Sequence, residues 1–175
     1  HDFNSEIKTR LVEKLVQITP ADLNQVQLWC EGSKAVEAAL NVARAVTGKY
    51  EFISFHNSMH GKTQGVQSLT SGMTRVCGVR APGSYRAPFG NCYRCAFRLQ
   101  HPGCGIHCID YLREVIEEQT THEVAAIVLE PIQGWGGSVV PAEEFIPRLR
   151  RLCDEHGILL LADEVLTCMG RTGKH

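Results

Sequence analysis

The chain has 175 residues and a mass of 19.4 kDa, and 43% of its residues are hydrophobic, which suffices for one sizeable domain with a core. Lysine plus arginine (18) nearly balance aspartate plus glutamate (19), so we expect no binding to nucleic acid or to an anionic membrane. The apolar runs are far shorter than the roughly 20 residues that cross a bilayer. The first residues show no secretion signal, so we expect a soluble, cytoplasmic protein with reduced cysteines.

The first third of the chain alternates between helical and strand-like patterns. In chain order we predict a helix over 5–19, a strand over 26–30, a helix over 34–46 and a strand over 50–55. Asn4 or Ser5 is suited to cap the first helix, and Gly48 to end the second.

The remaining residues begin with a long loop region and then return to alternation. Residues 62–105 are rich in glycine and proline and show little periodicity, which predicts loops. We then predict a helix over 109–119, a buried strand over 124–129, a helix over 147–155 with Pro147 as its first residue, and a buried strand over 158–162. Helices alternating with fully apolar strands predict an α/β fold, a mostly parallel sheet flanked by helices.

Ligands of parallel sheets bind beyond the carboxyl ends of the strands, where three groups stand out. Gly32 and Ser33 open a helix and form either a phosphate site or an ordinary cap. His60 follows the second long strand and is either a functional or a structural histidine. Asp163 follows five apolar residues, so it either has a cationic partner in a desolvated site or is a helix cap or surface ion pair.

Four segments resemble the class III aminotransferases, which are pyridoxal phosphate enzymes of fold type I. These segments, in the order and spacing of that family, are GSKAVEAA (32–39), MHGKT (59–63), VAAIVLEPIQG (124–134) and LADEVLT with GRTG (161–173). The resemblance implies that residues 1–175 are part of the pyridoxal-phosphate-binding large domain. It further implies a homodimeric transaminase that moves an amino group from an amine or amino acid to a 2-oxo acid or aldehyde.

The resemblance also implies roles for single residues. Gly32 and Ser33 match the turn that holds the cofactor phosphate, and Asp163 matches the carboxylate that pairs with the pyridine nitrogen. Val165 matches the side chain on one face of the ring, and the His60 motif matches the opposite face. The implied cofactor-binding residues are Gly32, Ser33, Met59, His60, Gly61, Glu130, Asp163, Val165 and Leu166.

Four positions depart from the family pattern. One is Cys168, which stands where a glycine usually follows the threonine. Met59 stands where an aromatic residue commonly stacks on the ring, and Leu166 stands where many members have a glutamine that reaches the ring hydroxyl. Trp135 stands where the ornithine and 4-aminobutyrate branch tends to have an acid, which predicts an apolar wall of the substrate pocket.

The lysine that forms the Schiff base lies, in this family, beyond the GRTG motif. None of the lysines of this chain matches it, so we expect no catalytic residue within the chain and no turnover by the chain alone. The alternative is a non-catalytic, metal-stabilised scaffold or cofactor-binding relative of the family.

A loop-rich insertion, residues 86–108, holds four clustered cysteines: Cys92, Cys95, Cys104 and Cys108. Two close pairs joined by a short loop predict a zinc site or an iron–sulfur cluster. Arg94, Arg98 and His107 are expected to lower the pKa of these thiols. Reduced thiols packed on the domain surface, or a redox-active disulfide, are the alternatives.

Overall fold

A computed structural model describes residues 4–20, 22–72 and 74–173, which form a sheet between two layers of helices. The strands are Glu51–Phe55 (β1), Ser84–Ala87 (β2), Val124–Leu129 (β3) and Leu159–Ala162 (β4). All neighbours pair in parallel, in the order β2-β1-β3-β4. The helices are Glu6–Ile18 (α1), Gly32–Thr47 (α2), Gln64–Gln67 (α3), Thr74–Cys77 (α4), His107–Gln119 (α5) and Phe145–His156 (α6). The predicted α/β class is confirmed.

The longer helices form where their apolar periodicity and end signals predict them. Ser5 caps α1 by accepting a hydrogen bond from the backbone N–H of Lys8 at 3.4 Å. Gly48 ends α2 in the left-handed region, with φ of 71°. Pro147 is not the first residue of α6, because the helix starts at Phe145. It still lies in the first turn, where a missing N–H costs no helical hydrogen bond. No helix in this part of the chain is both long and apolar enough to cross a membrane.

The strand predictions succeed for long apolar runs and fail elsewhere. β1 and β3 lie where predicted and are buried throughout. The strand predicted over 26–30 is wrong, because no described strand lies beside this largely exposed segment to pair with it. β2 was missed within the predicted loop region. β4 is only half buried rather than buried, since it has a described neighbour on one side alone.

Each face of the sheet has its own core. On one face, α5 and α6 cover a core in which the rings of Phe55, Phe89 and Phe145 make edge-to-face contacts, with centroids 5.1–5.7 Å apart. On the other face, α2 and α3 contribute Val36, Leu40 and Val66. Apolar contacts on both faces fix the parallel strands, so the loops beyond their carboxyl ends start from rigid positions.

One buried carboxylate organises the opposite end of the sheet. Glu51, 1% exposed, accepts hydrogen bonds from the backbone N–H groups of Thr121 and Glu123 and from the Tyr85 hydroxyl at 2.7 Å. This bond to Glu51, more than burial, raises the pKa of Tyr85 to about 12. Glu51 therefore holds the turn between α5 and β3 against the start of β1.

Candidate functional site

A cleft of about 320 Å³ opens beyond the carboxyl ends of β1, β3 and β4. This volume lies within the range of roughly 300–1,000 Å³ that small-molecule sites occupy. The cleft brings together all nine residues implied as cofactor-binding, along with Trp135. Its lining consists of Glu31, Gly32, Ser33, Met59, His60, Gly61, Glu130, Trp135, Asp163, Val165 and Leu166.

A buried histidine–carboxylate pair lies at the floor of the cleft. The Nδ1 atom of His60 lies 2.7 Å from the Oδ2 atom of Asp163, and the two side chains are 0% and 5% exposed. The other oxygen, Oδ1, accepts a hydrogen bond from the backbone N–H of Val165 at 3.2 Å. With Asp163 ionised, the Nδ1–H of His60 donates to it. The desolvated carboxylate thus has two donors and keeps lone pairs for a third.

His60 contacts Asp163, an interaction that the sequence did not predict. The loop that carries His60 is fixed by Thr70, whose hydroxyl oxygen accepts a hydrogen bond from the His60 backbone N–H at 3.0 Å and donates to Gly61 O at 2.8 Å. Nothing in the spacing of the sequence marks this role of Thr70. The Nε2 atom of His60 is buried and has no partner among the described residues.

The start of α2 forms the opposite end of the cleft. Its cap residue, Glu31, makes no side-chain capping bond, so the amides of the first turn stay available to a ligand. The Ser33 hydroxyl lies beside them, and the Lys62 backbone N–H donates to its oxygen at 3.4 Å. A Cβ atom on Gly61 would lie 2.5 Å from this oxygen, so only glycine permits the close approach. Free amides and a hydroxyl at a helix N-terminus suit a phosphate group.

Glu130 lies in the cleft but directs its oxygens at backbone amides. This side chain is 4% exposed, and its Oε1 accepts a hydrogen bond from the Met59 N–H at 2.8 Å. Its Oε2 accepts one from the Gly134 N–H at 3.1 Å. Glu130 therefore holds two loops of the cleft in place.

The mouth of the cleft is apolar and open. Trp135 is 69% exposed, and the Nζ atom of Lys62 lies 5.6 Å from its ring centroid, in cation–π range. Val165 and Leu166 are also more than half exposed. No lysine of the described ranges lines the cleft, and Lys174 lies outside them.

The four clustered cysteines share a small cavity of about 20 Å³ with apolar side chains such as Phe89 and Phe97. Within residues 4–20, 22–72 and 74–173, however, no three His, Cys, Asp or Glu side chains are placed to hold a metal ion. The predicted zinc or iron–sulfur site therefore has no support. All four, Cys92, Cys95, Cys104 and Cys108, are free thiols.

The expectation that basic neighbours lower the thiol pKa values is wrong for two of these cysteines. Burial, followed by the neighbouring thiols, raises the pKa of Cys92. Burial also raises the pKa of Cys108 to about 11. The loop is held by packing instead: the Phe97 ring centroid lies 4.8 Å from that of His107 and 5.2 Å from that of Tyr111 on α5.

Comparison with known sequences gives the same family along the whole chain. The sequence model of the family described as Aminotransferase class-III matches residues 2–175. The chain is 38% identical over 168 residues to a leucine/methionine racemase of Thermococcus litoralis. It is 40% identical over 169 residues to a putrescine aminotransferase of Pectobacterium atrosepticum. Each alignment covers 94% of this chain but only 38% and 33% of the two relatives.

A solved structure shows the same arrangement of strands and helices. The PLP-bound amine transaminase of an uncultivated Pseudomonas species superposes with a TM-score of 0.85 at 32% identity, covering 95% of this chain and 40% of that one. The parallel sheet flanked by helices is thus the fold type I architecture of PLP-dependent transaminases, as predicted. The family match and the curated relatives agree with it, and the chain belongs to the class III aminotransferase family.

Proposed function

We propose that these residues form the cofactor-binding part of a PLP-dependent transaminase, which transfers an amino group from an amine or amino acid to a 2-oxo acid or aldehyde. The observation that carries the proposal is the polarity of the cleft. An uncapped helix N-terminus lies at one end and the buried His60–Asp163 pair at the other. Pyridoxal phosphate has the matching polarity, with an anionic phosphate and a basic ring nitrogen. When bound, it supplies an electron-accepting ring that stabilises negative charge at the substrate carbon.

At the phosphate end, the first amides of α2 and the Ser33 hydroxyl would bind the anion. These groups are fixed by close contacts, since a Cβ on Gly32 would lie 3.2 Å from Val165 Cγ2 and one on Gly61 would meet Ser33. Glycine at these two positions lets the backbone approach the site closely, and the N–H groups at the helix N-terminus can then reach a phosphate. The helix dipole adds a favourable electrostatic contribution.

At the ring end, Asp163 would accept the N–H of the pyridine nitrogen and keep that proton in place. Its carboxylate is 5% exposed, so its attraction to a cationic N–H is little weakened by water. His60 orients Asp163 through the 2.7 Å contact. Val165 and Met59 would flank the ring, and Leu166 would leave the ring hydroxyl without a partner from that position.

Transamination also requires a base that moves the substrate proton. This chain spans 33–40% of the length of the relatives described above, so its residues supply binding and orientation. A lysine from outside the described residues would complete the site.

The test uses the protein expressed from its complete natural gene. We expect cofactor absorbance above 400 nm that borohydride abolishes, and alanine formation from pyruvate with a primary amine. Asp163→Asn should lower turnover about 100-fold or more, in the range seen when one preorganised electrostatic partner is removed. Asp154→Asn is the matched control, because Asp154 lies on the surface of α6 in an exposed ion pair with Arg150. A protein that binds no pyridoxal phosphate would contradict the proposal and favour the non-catalytic scaffold.

Racemisation of an amino acid is a second candidate, because the Thermococcus litoralis relative is described as a racemase. The same cleft would hold the cofactor, but no acceptor would be needed. Incubation of a single enantiomer of leucine without any oxo acid distinguishes the two, since only a racemase produces the other enantiomer.

We also propose that the protein is a cytoplasmic homodimer. Support for a second copy comes from α1, which has no buried residue although Ile7 and Leu11 lie on its apolar stripe. The free thiols suit a reducing compartment. Light scattering on the purified protein measures the first property, and fractionation of the native cells measures the second.

A further inference from the structure

Two loops form facing walls of the cleft. The Met59 loop, residues 57–62, follows β1, and the Trp135 loop, residues 133–139, follows β3. We infer that Glu130 is a positioning residue that ties these loops together and thereby sets the space between the cofactor and Trp135. This inference rests on the proposed function for its consequence in specificity, but the tie itself can be tested without any cofactor.

The buried connection runs through the Glu130 carboxylate. One oxygen accepts the Met59 N–H at 2.8 Å and the other accepts the Gly134 N–H at 3.1 Å. No lysine or arginine forms an ion pair with Glu130 within the described ranges, so these two amides are the groups that hold it. Hydrogen bonds to an ionised acceptor are roughly twice as strong as neutral ones. At 4% exposure, water does not compete for either bond.

The Trp135 loop is closed on itself by its own backbone hydrogen bonds. Gln133 and Val139 exchange two backbone hydrogen bonds at 3.1 and 3.0 Å, and Gly134 O accepts from the N–H groups of Gly137 and Ser138. The buried Gln133 side chain donates to His56 O at 2.8 Å, just before the Met59 loop. The loop thus forms one closed unit, held by Gln133 on one side and by Glu130 on the other.

A second connection lies at the surface. The ammonium of Lys62, at the end of the Met59 loop, lies 5.6 Å from the Trp135 ring centroid. The two loops are therefore joined both at the floor and at the mouth of the cleft. Trp135 lies at the tip of the closed loop. The hydrogen bond from Gly134 to Glu130 therefore fixes the distance between its indole and the cofactor-binding residues across the cleft. An amine donor with a bulky substituent would contact the Trp135 side chain, which these connections keep from moving away.

The decisive variant is Glu130→Gln, which keeps the size of the side chain. A carboxamide has one oxygen that accepts and an NH₂ group that only donates, so one of the two amides loses its acceptor and faces a second donor. Glu117→Gln is the matched control, because Glu117 is exposed on α5 and far in sequence from both loops.

The first measurement is hydrogen exchange on the cofactor-free protein expressed from the complete gene. In Glu130→Gln we expect the amides of Met59 or Gly134, and of the loop each belongs to, to exchange about tenfold faster, as the loss of one hydrogen bond to a charged group implies. Glu117→Gln should exchange like the wild type. Unchanged exchange in both loops of Glu130→Gln would overturn the inference.

The second measurement is the ratio of kcat/KM for 1-phenylethylamine to that for 2-aminopropane, with pyruvate as the acceptor. A loosened Trp135 wall should raise this ratio at least threefold in Glu130→Gln and leave it unchanged in Glu117→Gln. If Glu130→Gln does not fold, Lys62→Met removes the surface connection alone and should shift the ratio in the same direction.

The outcomes separate this inference from the proposed function. Faster exchange without turnover on any amine would contradict the transaminase proposal while the tie stands. Normal turnover with an unchanged ratio in both variants would contradict the effect of Glu130 on specificity.

Discussion

Substitution of Gly61 by alanine should weaken cofactor binding by displacing a neighbouring hydroxyl. Gly61 has φ of +134°, which L residues rarely adopt, and an added Cβ would lie 2.5 Å from Ser33 Oγ and 2.8 Å from both Ser33 Cβ and Val66 Cγ2. Since Ser33 follows the first residue of α2 and Val66 is buried, the hydroxyl is the group that can move most easily. Gly61→Ala thus acts on the proposed phosphate site through Ser33.

The size of the effect follows from what is lost. A hydrogen bond to a charged group contributes roughly 1.5–3 kcal/mol, so losing the bond from Ser33 to the phosphate should raise the Kd about 10- to 150-fold. Ser33→Ala removes the same bond without steric contact and should raise the Kd similarly. Gly61→Ala should in addition lower the free energy of unfolding by about 1–3 kcal/mol, because a non-glycine residue is strained at this φ.

The double variant tests whether both substitutions act through the Ser33 hydroxyl. The Ser33 bond can be lost only once, so Ser33→Ala with Gly61→Ala should bind the cofactor about as well as either single variant. The Kd is measured by titrating pyridoxal phosphate against the apoenzyme with fluorescence detection. Gly48→Ala is the matched control. Gly48 also has a positive φ, +71°, but a Cβ there would meet nothing within 4 Å, so we expect lower stability and an unchanged Kd.

Two results would refute the argument. Wild-type affinity in both single variants would show that Ser33 does not contact the phosphate. Effects that multiply in the double variant would show that Gly61 acts on the cofactor by a route other than the hydroxyl.

Three further predictions concern the rest of the domain. The hydrogen bond to Glu51 raises the pKa of Tyr85 to about 12, so this bond should stabilise the fold fully below pH 10 and lose its effect as the pH rises toward 12. Glu51→Gln should return the pKa of Tyr85 toward 10, as measured by phenolate absorbance at 295 nm. Phe145→Ala should lower the free energy of unfolding by about 3–5 kcal/mol in urea titration, because this fully buried ring packs on two others. In native protein, iodoacetamide should modify the exposed Cys168 well before Cys108, whose pKa is about 11; mass spectrometry that finds equal rates would contradict the buried packing of the cysteine loop.

Sequence reasoning was most successful where burial on both faces imposes a continuous apolar run. The six residues of β3 are all buried between helices, so their position could be predicted without knowledge of the partners. β2 could not be predicted, because three of its four residues are only half buried and their side chains carry no apolar pattern. The failed strand at 26–30 has the reverse cause, since its alternation is real but strand pairing depends on a neighbour elsewhere in the chain.

The candidate site shows the same division. The four segments that resemble the family identified which residues line the cleft. Three of them lie at the carboxyl ends of β1, β3 and β4, which the sheet fixes, and the fourth opens α2. Which of these residues touch each other depends on side-chain direction, and the contacts of His60 with Asp163 and of Glu130 with two amides leave no trace in spacing. For the cysteines, spacing along the chain predicted a metal site. In the described residues, however, Phe97 packs on α5 and no three ligand side chains are placed to hold a metal ion.

The contact between His60 and Asp163 has a consequence for how the domain folds. The two residues are 103 positions apart, so their hydrogen bond closes a long segment of chain, and we expect it to form only once β1, β3 and β4 have paired. In partly folded chains that lack this contact, Asp163 is not oriented by His60, so we expect them to bind the cofactor weakly. Pyridoxal phosphate should therefore stabilise the folded domain selectively. The free energy of unfolding should rise with the logarithm of the cofactor concentration.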